Sequence, residues 1–406
     1  MTSAVPLRTT TATADAPHRT DTAAVHAGRR DLRQLGVHVP PLEMSTTNPL
    51  PCVERGGASY EALAGGGLPP GDGSHVYQRL WNPTTARFEE AVAELEGCAQ
   101  AVAFSSGMAA ITACLLAARS CGKGHVVGVR PLYGGTDHVL ASGLLGTEVS
   151  WARPERVAEA LRPDTGLVIV ETPGNPTLEL VDIAAVADRC GDVPLLVDNT
   201  FATPVLQRPA EHGATLVVHS ATKYLGGHGD VLAGVVATDE EWATRLRPVR
   251  ALTGGVLHPL AGYLLHRGVQ TLPLRVRHQS ASARRLATWL TGHPAVERVY
   301  YPGLPQCDPA GLVGRQMSGP GAVVAFTVRG GGAAAAATAD ACELITHAVS
   351  LGGVDTLIQH PASLTHRPVT PDARPDAAVL RLSVGLEDPA DLCEDLDRAL
   401  RAAGRA

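Results

Sequence analysis

In the stretch HSATKYLGGHG (219–229), Lys223 follows two hydroxyl residues, Ser220 and Thr222, at the end of an apolar run. The chain has one other lysine, Lys123 in CGKGH; the rest of its 34 Lys+Arg are arginine. Strand alternation puts Ser220 and Thr222 on one side, where two hydroxyls can hold one anion. An amine beside them is partly desolvated, so its pKa falls and it becomes a nucleophile. Other unusual residues also end apolar runs. FSSGM (104–108) passes from a strand into a helix, and the backbone N–H groups around Ser106, Gly107 and Met108 form an anion site with the helix dipole. LLVDNTFATP puts Asp198 just past a continuous apolar strand, where a carboxylate needs a cation or a donor. PLYGGT brings the ring of Tyr133 to a further strand end. Singly, each has a plain alternative: Lys223 on the surface, Ser105 or Ser106 as a helix cap, Asp198 in an exposed loop, Tyr133 half-buried at an interface.

Taken together they describe one ligand. An amine able to form a Schiff base, a phosphate cradle, a carboxylate for a pyridinium nitrogen and a ring to stack on it are the parts of a pyridoxal 5′-phosphate site. Such a site needs a frame that gathers strand ends. Apolar runs of four to six residues (AVAF, HVVGV, EVSWA, GLVIVE, PLLVDN, TLVVHS, VLAGVVAT) are interleaved with helical segments such as TTARFEEAVAELEG, RPERVAEAL and IAAVADRC. This pattern predicts an α/β fold with a mostly parallel sheet covered by helices on both faces, and ligands gather at the carboxyl ends of such strands.

The pattern divides the chain into three parts. Residues 1–87 read as a polar tail and a Gly/Pro-rich extended arm lying on a neighbouring subunit, 88–270 as the cofactor-binding α/β domain, and 271–406 as a smaller α+β domain. A net charge of −6 and 4% aromatic content argue against nucleic acid and anionic membranes as partners. The eight cysteines are scattered without CxxC spacing, so no metal site is expected. With no signal-peptide core and no transmembrane run, the expectation is a cytoplasmic protein.

The sequence resembles the cystathionine γ-synthase/methionine γ-lyase family of fold-type I pyridoxal-phosphate enzymes from about residue 22 to its end. The resemblance is carried, in order, by YQRLWNPT (77–84), SSGMAAI (105–111), LYGGT (132–136), ETPGNP (171–176), VDNTF (197–201), HSATKYLGGHGD (219–230), SLGGVDTLIQHPASLTH (350–366) and LRLSVGLED (380–388). It implies that Lys223 carries the cofactor and moves protons, and that Asp198 holds the pyridine nitrogen protonated. Ser106, Gly107, Met108, Ser220 and Thr222 are implied at the phosphate, with Tyr77 and Arg79 reaching it from a neighbouring subunit. Asn175 would contact the ring, Tyr133 would stack on it and act as general acid, and Arg381 would take the substrate carboxylate in a bidentate pair, with Ser350 and Asn175 beside it. A homo-oligomer is implied, at least a dimer and as a dimer of dimers a tetramer.

Members acting on cystathionine carry charged residues where this chain has Val76, His138 and Val349. A pocket without those charges suits an apolar thioether, and GHGD and QHPAS are similar to methionine γ-lyases. Gly135, by contrast, stands where those lyases usually have cysteine. The resemblance implies α,γ-elimination of L-methionine to methanethiol, 2-oxobutanoate and ammonia. The alternative is cystathionine γ-lyase, γ-synthase or O-acylhomoserine sulfhydrylase chemistry on the same scaffold.

Overall fold

The computed structural model describes residues 18–71, 73–365, 367 and 374–404; most of the N-terminal tail and His366 lie outside them. Each predicted apolar run forms a strand: β1 (Gln100–Phe104), β2 (His125–Val129), β3 (Glu148–Ala152), β4 (Thr165–Glu171), β5 (Leu195–Asp198), β6 (Leu216–His219) and β7 (Gly234–Thr238). They make one sheet in the order β1-β7-β6-β5-β4-β2-β3, in which only the β7 pairings, with β1 and β6, are antiparallel. β2, β4 and β7 are buried along their whole length, as expected of strands covered on both faces.

Alternation sorts the side chains into two layers. Leu167, Ile169, Leu196, Leu216 and Val218 pack with the helices Gly107–Ser120 and Glu240–Thr253. Val168, Val170, Val197 and Val217 face the helices Pro83–Glu96, Pro259–Val269 and Leu272–Thr291. Local signals fix where the helices begin. Asn82 accepts the N–H groups of Thr84 and Thr85, with Pro83 at the first helical position and Gly97 closing the far end at φ 71°. Ser106 caps the next helix by accepting the Ala109 N–H at 3.0 Å.

A second sheet has the order β10-β11-β12-β9-β8, formed by β8 (Val296–Tyr300), β9 (Val323–Val328), β10 (Thr346–His347), β11 (Leu357–Gln359) and β12 (Val379–Ser383). The Ala-rich helix Gly331–Ala341 and the helix Pro389–Ala403 pack together beside it. One continuous apolar core runs from the first sheet into the second.

The extended-arm expectation needs correction: three helices, Thr20–His26, Leu32–Leu35 and Val53–Ala64, precede the helix Pro83–Glu96 there. The helix Val53–Ala64 buries Gly56, Ser59 and Leu63. Two of those three are not apolar, so the segment shows no hydrophobic stripe, although Leu63 joins Leu80 and Ala251 in a small core of its own.

Candidate active site

The carboxyl ends of β4, β5 and β6 and the start of the helix Gly107–Ser120 open into one cavity of about 270 Å³. Eleven of the thirteen site residues named from sequence line it: Ser106, Gly107, Met108, Tyr133, Asn175, Asp198, Ser220, Thr222, Lys223, Ser350 and Arg381. The other two do not. Tyr77 and Arg79 are exposed and line a separate, open cavity with Thr47, Asn48, Leu50 and Tyr60, and Arg79 donates to the Ala251 carbonyl at 3.0 Å. Of the residues read for substrate choice, Val349 lines the main cavity, Val76 lies in the Tyr77 cavity and His138 is exposed on the helix Gly134–Ala141.

Lys223 lies four residues past the end of β6, and its Nζ donates to Ser350 Oγ at 2.7 Å. Burial, helped by the Arg381 charge, brings its ammonium down to about 8, so at pH 7 about a tenth of this amine is unprotonated. Ser350 itself has φ 102°, a conformation costly for a residue with a Cβ. Both its hydroxyl and its carbonyl are engaged at the site, the carbonyl by Arg381 at 2.8 Å.

Asp198 ends β5. Its Oδ1 accepts the Thr200 hydroxyl at 2.5 Å and the Thr200 N–H at 3.0 Å, and no cationic side chain among the described residues pairs with it. Burial raises its pKa, while the Thr200 hydrogen bonds and the His219 charge oppose that rise. Beside it in register, on β4, lies Glu171. Burial and the neighbouring Asp198 push Glu171 well up. It accepts the N–H of Tyr133 at 2.5 Å and that of Asn175 at 3.0 Å, so one carboxyl group fixes the backbone under two residues of the site.

Arg381, on β12 and 3% exposed, crosses from the second sheet into the cavity. Its Nη1 donates to Asn175 Oδ1 at 2.9 Å and its Nη2 to Ser350 O and Gln359 Oε1. Its Nε–H is buried with no partner among the described residues. With Nη2 donating twice within the protein, the bidentate grip expected from sequence requires one of these bonds to open; the donor ready for an anion is Nε. Tyr133 is 40% exposed, so its ring is open to the cavity. Gly135 matters for that ring: a Cβ there would lie 2.6 Å from Tyr133 Cε1 and 3.1 Å from Met108 Sδ.

Two features test whether pyridoxal phosphate fits. A Cβ on Gly107 would come within 3.0 Å of Ser220 Cβ, so glycine leaves the helix N-terminus and the Ser220 hydroxyl side by side as an anion cradle. Asp198 Oδ2, which takes no hydrogen bond among the described residues, suits a ring N–H. Thr222 is less free than the sequence implied, since its hydroxyl donates to Ala233 O at 3.1 Å and accepts from Ala233 N–H at 3.0 Å. The Gly107/Ser220 cradle and the Asp198 carboxylate are the features that suit the cofactor. Sequence reasoning missed Glu171, Thr200, Phe201 and Gln359, which lie in the cavity. Their signal was present, since each falls inside a quoted motif.

A strand-end amine, a buried carboxylate, an anion cradle and an arginine for a carboxylate define a pyridoxal-phosphate enzyme of amino-acid chemistry. The chain belongs to the Cys/Met metabolism PLP-dependent enzyme family, which it matches over residues 21–401. It is 58% identical over 386 residues to an L-methionine gamma-lyase of Brevibacterium aurantiacum, covering 95% of each chain. To an L-methionine gamma-lyase of Streptomyces avermitilis it is 58% identical over 384 residues, 94% of this chain and 88% of the other. Among solved structures it resembles cystathionine gamma synthase from Xanthomonas oryzae, with a TM-score of 0.87 and 35% identity over 96% of this chain and 100% of that one.

Proposed function

We infer that this protein is a carbon–sulfur lyase that eliminates methanethiol from L-methionine, leaving 2-oxobutanoate and ammonia. The observation that carries the reading is the pairing of Lys223, Asp198 and Arg381 around a cavity whose remaining walls include Phe201, Leu232 and Val349. The cavity offers an apolar tail the surroundings it needs and gives the distal amino acid of cystathionine no dedicated charge. The names of the 58%-identical relatives support the same substrate, and they do so despite Gly135.

Bound at this site, pyridoxal 5′-phosphate supplies an electron sink for the carbanion formed at the substrate Cα. The chain's own residues do the rest. The amides around Gly107 and the Ser220 hydroxyl hold the phosphate, and Asp198 keeps the proton on the ring nitrogen. Arg381 takes the substrate carboxylate through its open Nε–H. Lys223 Nζ would take the Cα proton, return it to the cofactor's conjugated system and so be a free base again to take a Cβ proton, while the Tyr133 phenol would protonate the departing sulfur.

Supplied separately with methionine and with cystathionine, the protein is expected to release thiol and 2-oxobutanoate faster from methionine. Faster turnover of cystathionine would overturn the assignment.

We also propose a cytoplasmic homo-oligomer, at least a dimer and in full a tetramer, in which Tyr77 and Arg79 complete a neighbour's phosphate site. Their exposure, and the run of exposed Leu35, Val37, Val39, Leu42 and Met44 on the same segment, support this reading. We likewise propose the boundary between an 88–270 cofactor-binding domain and a 271–406 domain, which falls between the helices Pro259–Val269 and Leu272–Thr291. Arg79→Ala and Lys223→Ala are then each expected to be inactive alone. Mixed and refolded together they should recover part of the activity, because some subunit pairs contain one intact site; no recovery would place Arg79 in its own chain's site.

A further inference from the structure

On the reverse face of the central sheet, behind the cavity, lies a closed buried polar network. By strand alternation Asp198 and Ser220 point into the cavity, while the residues next to them, Asn199 and His219, point back toward the helix Pro83–Glu96. Glu96, the last residue of that helix, is 0% exposed, and His219 is 1% exposed. The Glu96 Oε1 lies 2.5 Å from His219 Nε2 and accepts the Asn199 side-chain amide at 2.9 Å. Gln207 extends the network, donating to Asn199 Oδ1 at 3.0 Å and to the Thr172 carbonyl at 2.9 Å. The ends of β4, β5 and β6 are thus tied together from behind. On the cavity face Thr200 joins two of them, accepting the Ser220 N–H at 2.9 Å and donating to Asp198.

We propose that Glu96 and His219 are positioning residues for the cofactor, fixing Asp198 and Ser220 relative to one another through the reverse face of the sheet. A histidine–carboxylate contact this deeply buried adds little net stability over apolar residues of similar volume, so stability alone does not account for its presence. Its other oxygen, Glu96 Oε2, is buried without a partner among the described residues. A carboxylate chosen only for satisfied burial would not leave that atom empty. His219 also contributes directly: its charge favours the ionised form of Asp198 across the sheet.

The proposal rests on Asp198 and Ser220 being the cofactor's contacts, and the test separates the two claims. The double variant Glu96→Leu/His219→Phe removes the network but offers the core an apolar pair. It is expected to keep a Tm within about 5 °C of the parent protein. Its Kd for pyridoxal phosphate, titrated into apoprotein, should rise at least about tenfold, and its visible band should move. Its kcat for methionine should fall by roughly 10- to 100-fold with KM little changed, since Arg381 is untouched. Parental Kd and band in a folded double variant would overturn the proposal. Should the double variant not fold, Glu96→Gln, which keeps the size and an acceptor, is read by the same two measurements with the same criteria. A parent protein that binds no pyridoxal phosphate would instead overturn the assignment of Asp198 and Ser220.

Discussion

Lys223→Ala is expected to lower kcat for methionine by about 10³-fold or more, because it removes both the amine that carries the cofactor and the base that moves two protons. The other lysine cannot take over: Lys123 lies at the opposite ends of the strands, donating to the Pro163 carbonyl at 2.6 Å. The variant's far-UV circular dichroism should match the parent's, since Lys223 makes one side-chain hydrogen bond, to Ser350. Its visible absorbance should lose the band of the lysine-linked cofactor. A second reading comes from the amine itself. In apoprotein, acylation of Lys223 should be half-maximal near pH 8 and faster above it, where the amine is neutral, rather than near 10.5 as for an exposed lysine. Half-maximal acylation near 10.5 would show a hydrated Lys223 and contradict the cavity described above.

Arg381→Leu is expected to lower kcat/KM by roughly 100-fold, about 3 kcal/mol, mainly through KM. A charge-assisted hydrogen bond to the substrate carboxylate is lost, and such bonds are worth about 1.5–3 kcal/mol each. The loss exceeds one bond because Asn175 Oδ1 and Gln359 Oε1 are left as buried acceptors without a donor. The conservative change Arg381→Lys should rescue little, since one ammonium cannot reach Asn175, Ser350, Gln359 and a substrate together. The two predictions are linked. The Arg381 charge helps hold the Lys223 amine down, so in Arg381→Leu the acylation midpoint of Lys223 should rise above 8. Steady-state kinetics and the pH dependence of acylation check both; an unchanged KM would remove Arg381 from the substrate site.

The sequence made the first sheet legible because its strands are short, apolar on both sides and separated by helices with clear caps. Lys223, Asp198 and Ser220 were legible for the same reason, being polar residues at the ends of such strands. The bonds between them were not. Glu171 follows an apolar strand just as Asp198 does, and only its contacts with the Tyr133 and Asn175 backbones distinguish its task. Arg381 lies 158 positions after Lys223, and its crossing from the second sheet depends on the pairing of β12 with β9 and β11. The helix Val53–Ala64 escaped notice because glycine and serine form part of its buried face.

The alternation at the ends of β4, β5 and β6 separates two kinds of change open to this chain over time. Exchanges at Val349, Phe201 or Gly135 alter the shape offered to a leaving group while Asn199, His219 and Glu96 keep the strand ends in register. A new specificity can therefore be sampled without rebuilding the frame. The loss of one residue from any of these three strands has the opposite character. It would turn the inward set outward and the outward set inward in one step, so the same pattern that makes the site adaptable in composition makes it intolerant of length change.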